Sequence, residues 1–364
     1  MNYDYLIVGA GFAGCVLAER LATQLGKKIL LIDRRSHIAG NAFDGVDGHG
    51  IRIHYYGPHL FHTNDENIIK YLSQFTSWYP YEHRVLASVN GSLVPMPVNR
   101  TTVNTLFGLN FTTDNEVREY FEREKESIPF IRNSEDVVVS KGGRRLYDLL
   151  YKGYTTKHWG IEPNHLSPSV CGRLPIRVNT DDRYFDDRYQ MMPQNGYTEM
   201  FKKMIAQPSI SVELNTEYND VPSGTFNRLI FTGPIDEYFL HSFGALPYRS
   251  LEFEFETHEK EFVQTVAQVN YPNDFDYTRS VEFKHITGQH HTKTTLAKEY
   301  SCEVGDPYYP VPNDENAALY KLYAAEAEKL KTVHFVGRLA TYRYYNMDQV
   351  VAQALTTFKN IAQP

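Results

Sequence analysis

A chain of 364 residues, 42% hydrophobic and 22% charged, has the make-up of an ordinary globular protein and exceeds the size at which one core usually stops growing, so two or three lobes are expected. Its net charge of −7 excludes a general attraction to nucleic acid or anionic lipid, so a phosphate-bearing ligand has to be held by local arginines. Three cysteines, Cys15, Cys171 and Cys302, cannot complete a disulfide framework and lack metal-ligand spacing, which predicts a reducing cytoplasm and no bound metal.

In chain order, the apolar run Tyr5 to Val8 leads into Gly9, Gly11 and Gly14, and a second apolar run, Ile29 to Ile32, closes on Asp33. This spacing reads as strand, glycine turn, helix and strand. Gly9 turns the chain off the strand, Gly11 lets backbone approach a pyrophosphate, and Gly14 lets the helix pack on the sheet. Ala13, Val16, Leu17, Leu21 and Leu25 recur at helical spacing, which points the helix N-terminus at the phosphates. Asp33, an acid about 20 residues on, suits a ribose hydroxyl. With Asp4 ahead of the strand and no basic leader, and with no apolar stretch near the roughly 20 residues of a bilayer span, the chain is expected to be neither secreted nor membrane-embedded.

A loop with Gly40, Asn41 and Ala42 and a histidine-rich segment from His54 to His62 come next. From about Thr101 to Trp159 the pattern turns helical. Thr113 with Glu116 forms a capping box ahead of a helix through Lys125, and Arg144 to Tyr151 is a further helix candidate. Arg228 to Gly233 reads as a buried strand returning to the first domain. Leu251, Phe253 and Phe255 alternate with glutamates, and Val263 to Tyr271 and Ser280 to Ile286 also read as strands, so an antiparallel sheet is expected there. A helix Asn316 to Leu330, a strand Val333 to Val336 with Gly337 and Arg338, and a last helix complete the cofactor site. Such a non-contiguous return to the dinucleotide fold favours FAD over NAD.

The densest segment contains Gly153 to Gly160, Arg173, Asp181 to Phe185, and Met192 to Thr198 with Asn195, read as a loop too rich in aromatics and arginines to be merely structural. Tyr248-Arg249, Tyr277 to Arg279, Tyr308 to Pro310 and Arg343 to Tyr345 add arginine and tyrosine pairs, and 27 tyrosines against 21 phenylalanines fit wet, hydrogen-bonding cavities.

On these residues the chain resembles the prokaryotic UDP-galactopyranose mutases from end to end. The resemblance is carried by Gly9 to Asp33, Gly57-Pro58-His59 with His62, Tyr154 to Trp159, Asp182 to Phe185, Gly196 to Thr198, Tyr308 to Pro310, and Gly337 to Leu339. It implies an α/β fold: a Rossmann-like FAD-binding domain with an inserted helical domain and an antiparallel β-sheet domain. The FAD domain would comprise 1–78, 194–243 and 313–364, the helical domain 99–190 with a mobile loop at about 160–185, and the sheet domain 79–98 and 244–312. The implied reaction interconverts pyranose and furanose forms of a nucleotide-activated galactose-type sugar, with N5 of reduced flavin as nucleophile at the anomeric carbon and no net redox change.

By the same resemblance, Arg173 and Arg279 hold the diphosphate, with hydrogen bonds from Tyr184, Tyr309 and Tyr344 and with Arg249 nearby. Tyr154 stacks on the base, Trp159 stands beside the sugar, and His59 and His62 lie near the flavin. Leu150, Tyr151, Asn195, His83 and Asn346 complete the substrate set. Gly9, Gly11, Phe12, Ala13, Gly14, Asp33, Arg34, Gly40, Asn41, His59, Leu60, Gly337, Arg338 and Met347 would contact FAD. Four positions depart from the family pattern: His83 and Asn346 replace a sugar-pocket Asn and an Asp, while Leu150 and Gly172 replace a Phe and a larger residue. They leave UDP-galactose, dTDP-fucose and UDP-N-acetylgalactosamine as substrates to separate. An amine-oxidase or desaturase reading shares the glycine fingerprint but gives no reason for paired arginines. The family also implies a cytoplasmic homodimer serving cell-surface polysaccharide synthesis.

Overall fold

Residues 2–363 are described by a computed structural model, so the outer ends of the expected FAD domain, Met1 and Pro364, lie outside the described residues. A five-stranded parallel sheet forms the first lobe, in the order Ile210–Leu214, Ile29–Asp33, Tyr3–Val8, Phe226–Phe231, Val333–Phe335. The run Ile29 to Asp33 is buried throughout, as a strand covered on both faces requires. The helix Phe12–Leu25 packs on the sheet through Val16, Leu17 and Leu21, and the C-terminal helix Met347–Ala362 lies against it through Val351 and Ala354.

A seven-stranded sheet makes the second lobe, in the order Tyr309–Pro310, Tyr248–His258, Thr294–Cys302, Arg279–Glu282, Gln268–Asn270, Val85–Val89, Ser92–Met96. It is antiparallel except where Gln268–Asn270 runs parallel to Val85–Val89, because the Val85–Met96 hairpin joins the edge from a distant part of the chain. A three-stranded sheet, Phe61–Thr63, Tyr189–Pro193, Trp78–Pro80, connects the lobes.

The third lobe is helical, from Arg100–Phe107 to Ser169–Gly172, around Val103, Val117, Phe121, Val138 and Leu146. Its helix Asp114–Glu124 starts with the capping box of Thr113 and Glu116. Residues Tyr147–Lys152 are π-helical and run directly into the α-helix Gly153–Trp159. Tyr154 to Trp159 are therefore helical, where the aromatic and glycine content read as loop. The reading of Ser280 to Ile286 as one strand also fails. Strand pairing stops at Glu282, whose carboxylate accepts the Val263 and Gln264 N–H groups, and Phe283–Thr287 coils into a short helix closed by Gly288 at φ 63°.

Candidate active site

The first strand delivers Gly9 at φ 100°, where a Cβ would overlap the Thr232 hydroxyl. Gly11 precedes the helix Phe12–Leu25 and offers no side chain to cap its first N–H groups, which stay available to an anion. Gly40, at φ 53°, faces Gly11 so closely that its Cβ would come within 3.0 Å of the Gly11 Cα. Asp33 accepts the Ala10 N–H at 2.8 Å through one oxygen and the Arg35 N–H at 2.9 Å through the other, which fixes the carboxylate at the cavity edge. Phe12, Ala13, Arg34, Asn41 and Gly337 share this lining. Gly14 does not reach it. A Cβ there would overlap the Gly9 carbonyl oxygen and lie 3.2 Å from Ile7 Cγ2, so its absence serves helix-to-strand packing.

A second cavity opens beside the first, about 220 Å³ against about 290 Å³, and His59, Arg338 and Met347 line both. Neither alone suits a dinucleotide cofactor with a tricyclic head, whereas the joined pair does. The bare helix terminus and the Gly9–Gly11–Gly40 cradle fit the pyrophosphate of FAD, Asp33 its ribose, and the shared residues the passage of its far end. Leu60 lines only the second cavity.

The π-helical turn aims Leu150 and Tyr151 into this second cavity, and the following helix adds Tyr154, His158 and Trp159. Lys157, on the same helix, donates to the carbonyls of Tyr271, Asp274, Phe275 and Tyr277 and so fastens it to the loop that precedes Arg279. Gly153 permits that approach, since its Cβ would meet Asn273 Oδ1 at 2.6 Å. Tyr154 is stacked parallel to His158, with centroids 6.1 Å apart. Burial pushes the His158 and His83 pKa values down to about 3, leaving both neutral, and raises those of Tyr154, Tyr184 and Tyr309, so the phenols remain donors.

Arg279 donates to Glu299 at 2.6 Å, while its Nε is buried without a partner. Burial works to lower the Arg279 pKa, but the Glu299 charge and hydrogen bond together with the nearby Tyr154 and Tyr309 phenols outweigh it, and the guanidinium stays charged. Arg173 comes from the other side, 4.2 Å above the Tyr344 ring, and donates to Asn346 at 3.3 Å. Arg338 lies 5.4 Å from the centroids of both Tyr309 and Tyr344, which pack against Trp159, Tyr344 edge-on and Tyr309 tilted. Three guanidinium groups against one buried carboxylate, ringed by phenol donors, give this cavity wall a positive charge and hydrogen-bond donors whose chemistry suits an anion such as a diphosphate.

Two expected substrate residues are elsewhere. Arg249 is buried behind the wall, donating to the His158 carbonyl and to Ser301, and it would collide with any side chain at Gly160; it supports the aromatic helix and lines neither cavity. Asn195 is exposed in the turn after Tyr189–Pro193, because Gly196 and Tyr197 turn the chain inward to meet Asp44. His62 lines the cavity with its Nδ1 held by Asp187 at 2.7 Å. Sequence reasoning did not single out Glu299, Gln268, Asn270 or Asp187, and it named Phe185 only as part of a motif. Glu299 is opposite Arg279 in strand register, a signal that needs the pairing to be known.

The sequence profile of the UDP-galactopyranose mutases matches residues 149–344, and that of an NAD(P)-binding Rossmann-like domain matches residues 7–75. A probable UDP-galactopyranose mutase of Klebsiella pneumoniae is 39% identical over 98% of this chain and 94% of its own length. A dTDP-fucopyranose mutase of Escherichia coli is 34% identical over 96% of each. The crystal structure of a reduced UDP-galactopyranose mutase superposes with a TM-score of 0.79 at 17% identity, covering 99% of this chain and 94% of the other, which establishes the fold. With a dinucleotide cavity opening into an arginine- and tyrosine-lined one, and relatives matched along nearly their whole length, this chain belongs to the UDP-galactopyranose mutase family.

Proposed function

We propose that the protein is an FAD-dependent isomerase interconverting UDP-galactopyranose and UDP-galactofuranose without net redox change. The observation that carries this reading is the junction of the two cavities at His59, Arg338 and Met347, which lets a cofactor bound at Gly9–Gly11–Gly40 meet a sugar whose diphosphate is held between Arg173 and Arg279. Reduced FAD, when bound, supplies an electron pair to the anomeric carbon. The departing diphosphate stays attached to the guanidinium groups and to the hydroxyls of Tyr184, Tyr309 and Tyr344, ready to return. Tyr154, Leu150 and Tyr151 hold the base, and Trp159 shields the sugar from water.

The lobes divide this work. The parallel-sheet lobe takes FAD, the helical lobe the nucleotide, and the segment 160–185 closes the site when Arg173 engages the diphosphate. Among the described residues no helix is long and apolar enough to cross a membrane; the three free cysteines support a reducing, cytoplasmic setting, and the family supports a homodimer that feeds cell-surface polysaccharide synthesis. A second substrate, dTDP-fucopyranose, is favoured by the Escherichia coli relative and by His83 and Asn346 in the cavity wall.

Dithionite-reduced and oxidised protein are incubated with UDP-galactofuranose, dTDP-fucofuranose and the furanose form of UDP-N-acetylgalactosamine, and the sugars are separated by chromatography. Conversion by reduced protein alone, with no reductant consumed per turnover, is expected. Equal conversion by oxidised protein, or stoichiometric use of reductant, overturns the reading.

A further inference from the structure

The strand Phe61–Thr63 carries His62 along the cavity wall three residues past His59, which stands at the junction of the two cavities. The His62 imidazole is held on two sides. Its Nδ1 is 2.7 Å from an Asp187 carboxylate oxygen, and its face is stacked on Phe185 at 3.7 Å with the planes 15° apart. The other Asp187 oxygen accepts from Asn64 at 2.6 Å, and Asn64 in turn accepts the Arg188 N–H at 2.9 Å, so the carboxylate cannot swing away from the ring. His62 Nε2 has no hydrogen-bond partner within the protein among the described residues. A carboxylate fixed to Nδ1, a ring clamped by stacking and a free Nε2 at a cavity form the arrangement of an oriented acid–base histidine.

We propose that His62, oriented by Asp187, moves the proton that ring exchange demands; this rests on the mutase reading above. A pyranose closes through O5 and a furanose through O4. As C1–O5 breaks, its electron pair leaves with O5, which takes a proton from Nε2 of the His62 imidazolium. As an O4 lone pair forms C1–O4, the O4 proton passes to Nε2 and restores the imidazolium. One proton leaves O4 and one arrives at O5, no electrons are gained or lost, and Asp187 stabilises the charged ring. His62 is the catalytic residue, and Asp187 is a positioning residue acting through it.

The test uses the reduced, FAD-loaded protein with UDP-galactofuranose. His62→Ala is expected to lower kcat about 10²- to 10⁴-fold with KM and bound flavin retained, and free imidazole to restore turnover saturably. Asp187→Asn is expected to lower kcat roughly ten- to a hundredfold at constant KM and melting temperature, with Asp187→Glu recovering part of the loss. A His62→Ala loss that imidazole does not relieve overturns the proposal, as does Asp187→Asn with kcat within about twofold of the parent; both leave the mutase reading standing. Should the unsubstituted protein convert nothing, both fall together.

Discussion

Acid should unfold this protein through its buried histidines, and His54 isolates the effect. The ring is 1% exposed between Tyr197 and Phe283, with centroids 5.8 and 5.6 Å away, and its Nδ1 accepts the His59 N–H at 3.1 Å. That bond requires a neutral ring nitrogen. Burial, with a smaller contribution from the Arg52 charge, pushes the His54 pKa from 6.5 down to about 3. In the unfolded chain His54 takes up a proton below pH 6.5, whereas the folded protein cannot until about pH 3. Stability is therefore complete above pH 6.5 and is lost as pH falls toward 3. The slope is about 1.4 kcal/mol per pH unit, so His54 alone costs roughly 2 kcal/mol between pH 7 and pH 5. Urea unfolding at a series of pH values measures it. His54→Asn keeps an acceptor near the position of Nδ1 but cannot take up the proton, so its stability should fall less steeply with acid by about that amount. Equal slopes for the two proteins would refute the assignment of a neutral, buried His54.

Three further outcomes are expected. Gly14→Ala drives a Cβ into the Gly9 carbonyl and against Ile7, so the helix start must retreat and FAD affinity should fall by about 1.5–3 kcal/mol, one charge-assisted hydrogen bond, by flavin titration; Gly172→Ala, whose Cβ meets Val137 only at 3.6 Å, is the neutral control. Arg279→Lys keeps a charge beside Glu299 and should keep both fold and bound flavin while abolishing turnover, because the planar fork is gone; retained turnover would disprove its role. Lys157→Met strips the donor from four carbonyls and should raise KM for the nucleotide sugar and lower stability by about 1–3 kcal/mol, read by kinetics and thermal melting.

Much of the molecule was legible in its sequence where a local rule decides structure. The glycine turn, the capping box at Thr113 and the final strand–glycine–helix unit depend on residues close together in the chain. The arginine and tyrosine clusters stood out in the sequence, but that they converge on one cavity was indicated only by family resemblance, because they arrive from five separate segments. What escaped was set by partners distant in sequence. Arg249 has the chemistry of a phosphate ligand, but its guanidinium is committed to the His158 carbonyl. Glu299 looks like one more glutamate until strand register sets it against Arg279. The apolar run after Arg279 alternates well enough for a strand, yet Glu282 ends the pairing by accepting backbone N–H groups from the loop before it.

An ammonium group encircled by backbone carbonyls, as at Lys157, does for the 271–277 loop what a potassium ion does in proteins that recruit one. Here the cation is tethered by four methylenes to the helix it braces. It has no dissociation constant, cannot be dialysed away and does not compete with sodium. The loop leading to Arg279 thus keeps its shape whatever the monovalent ion content of its surroundings.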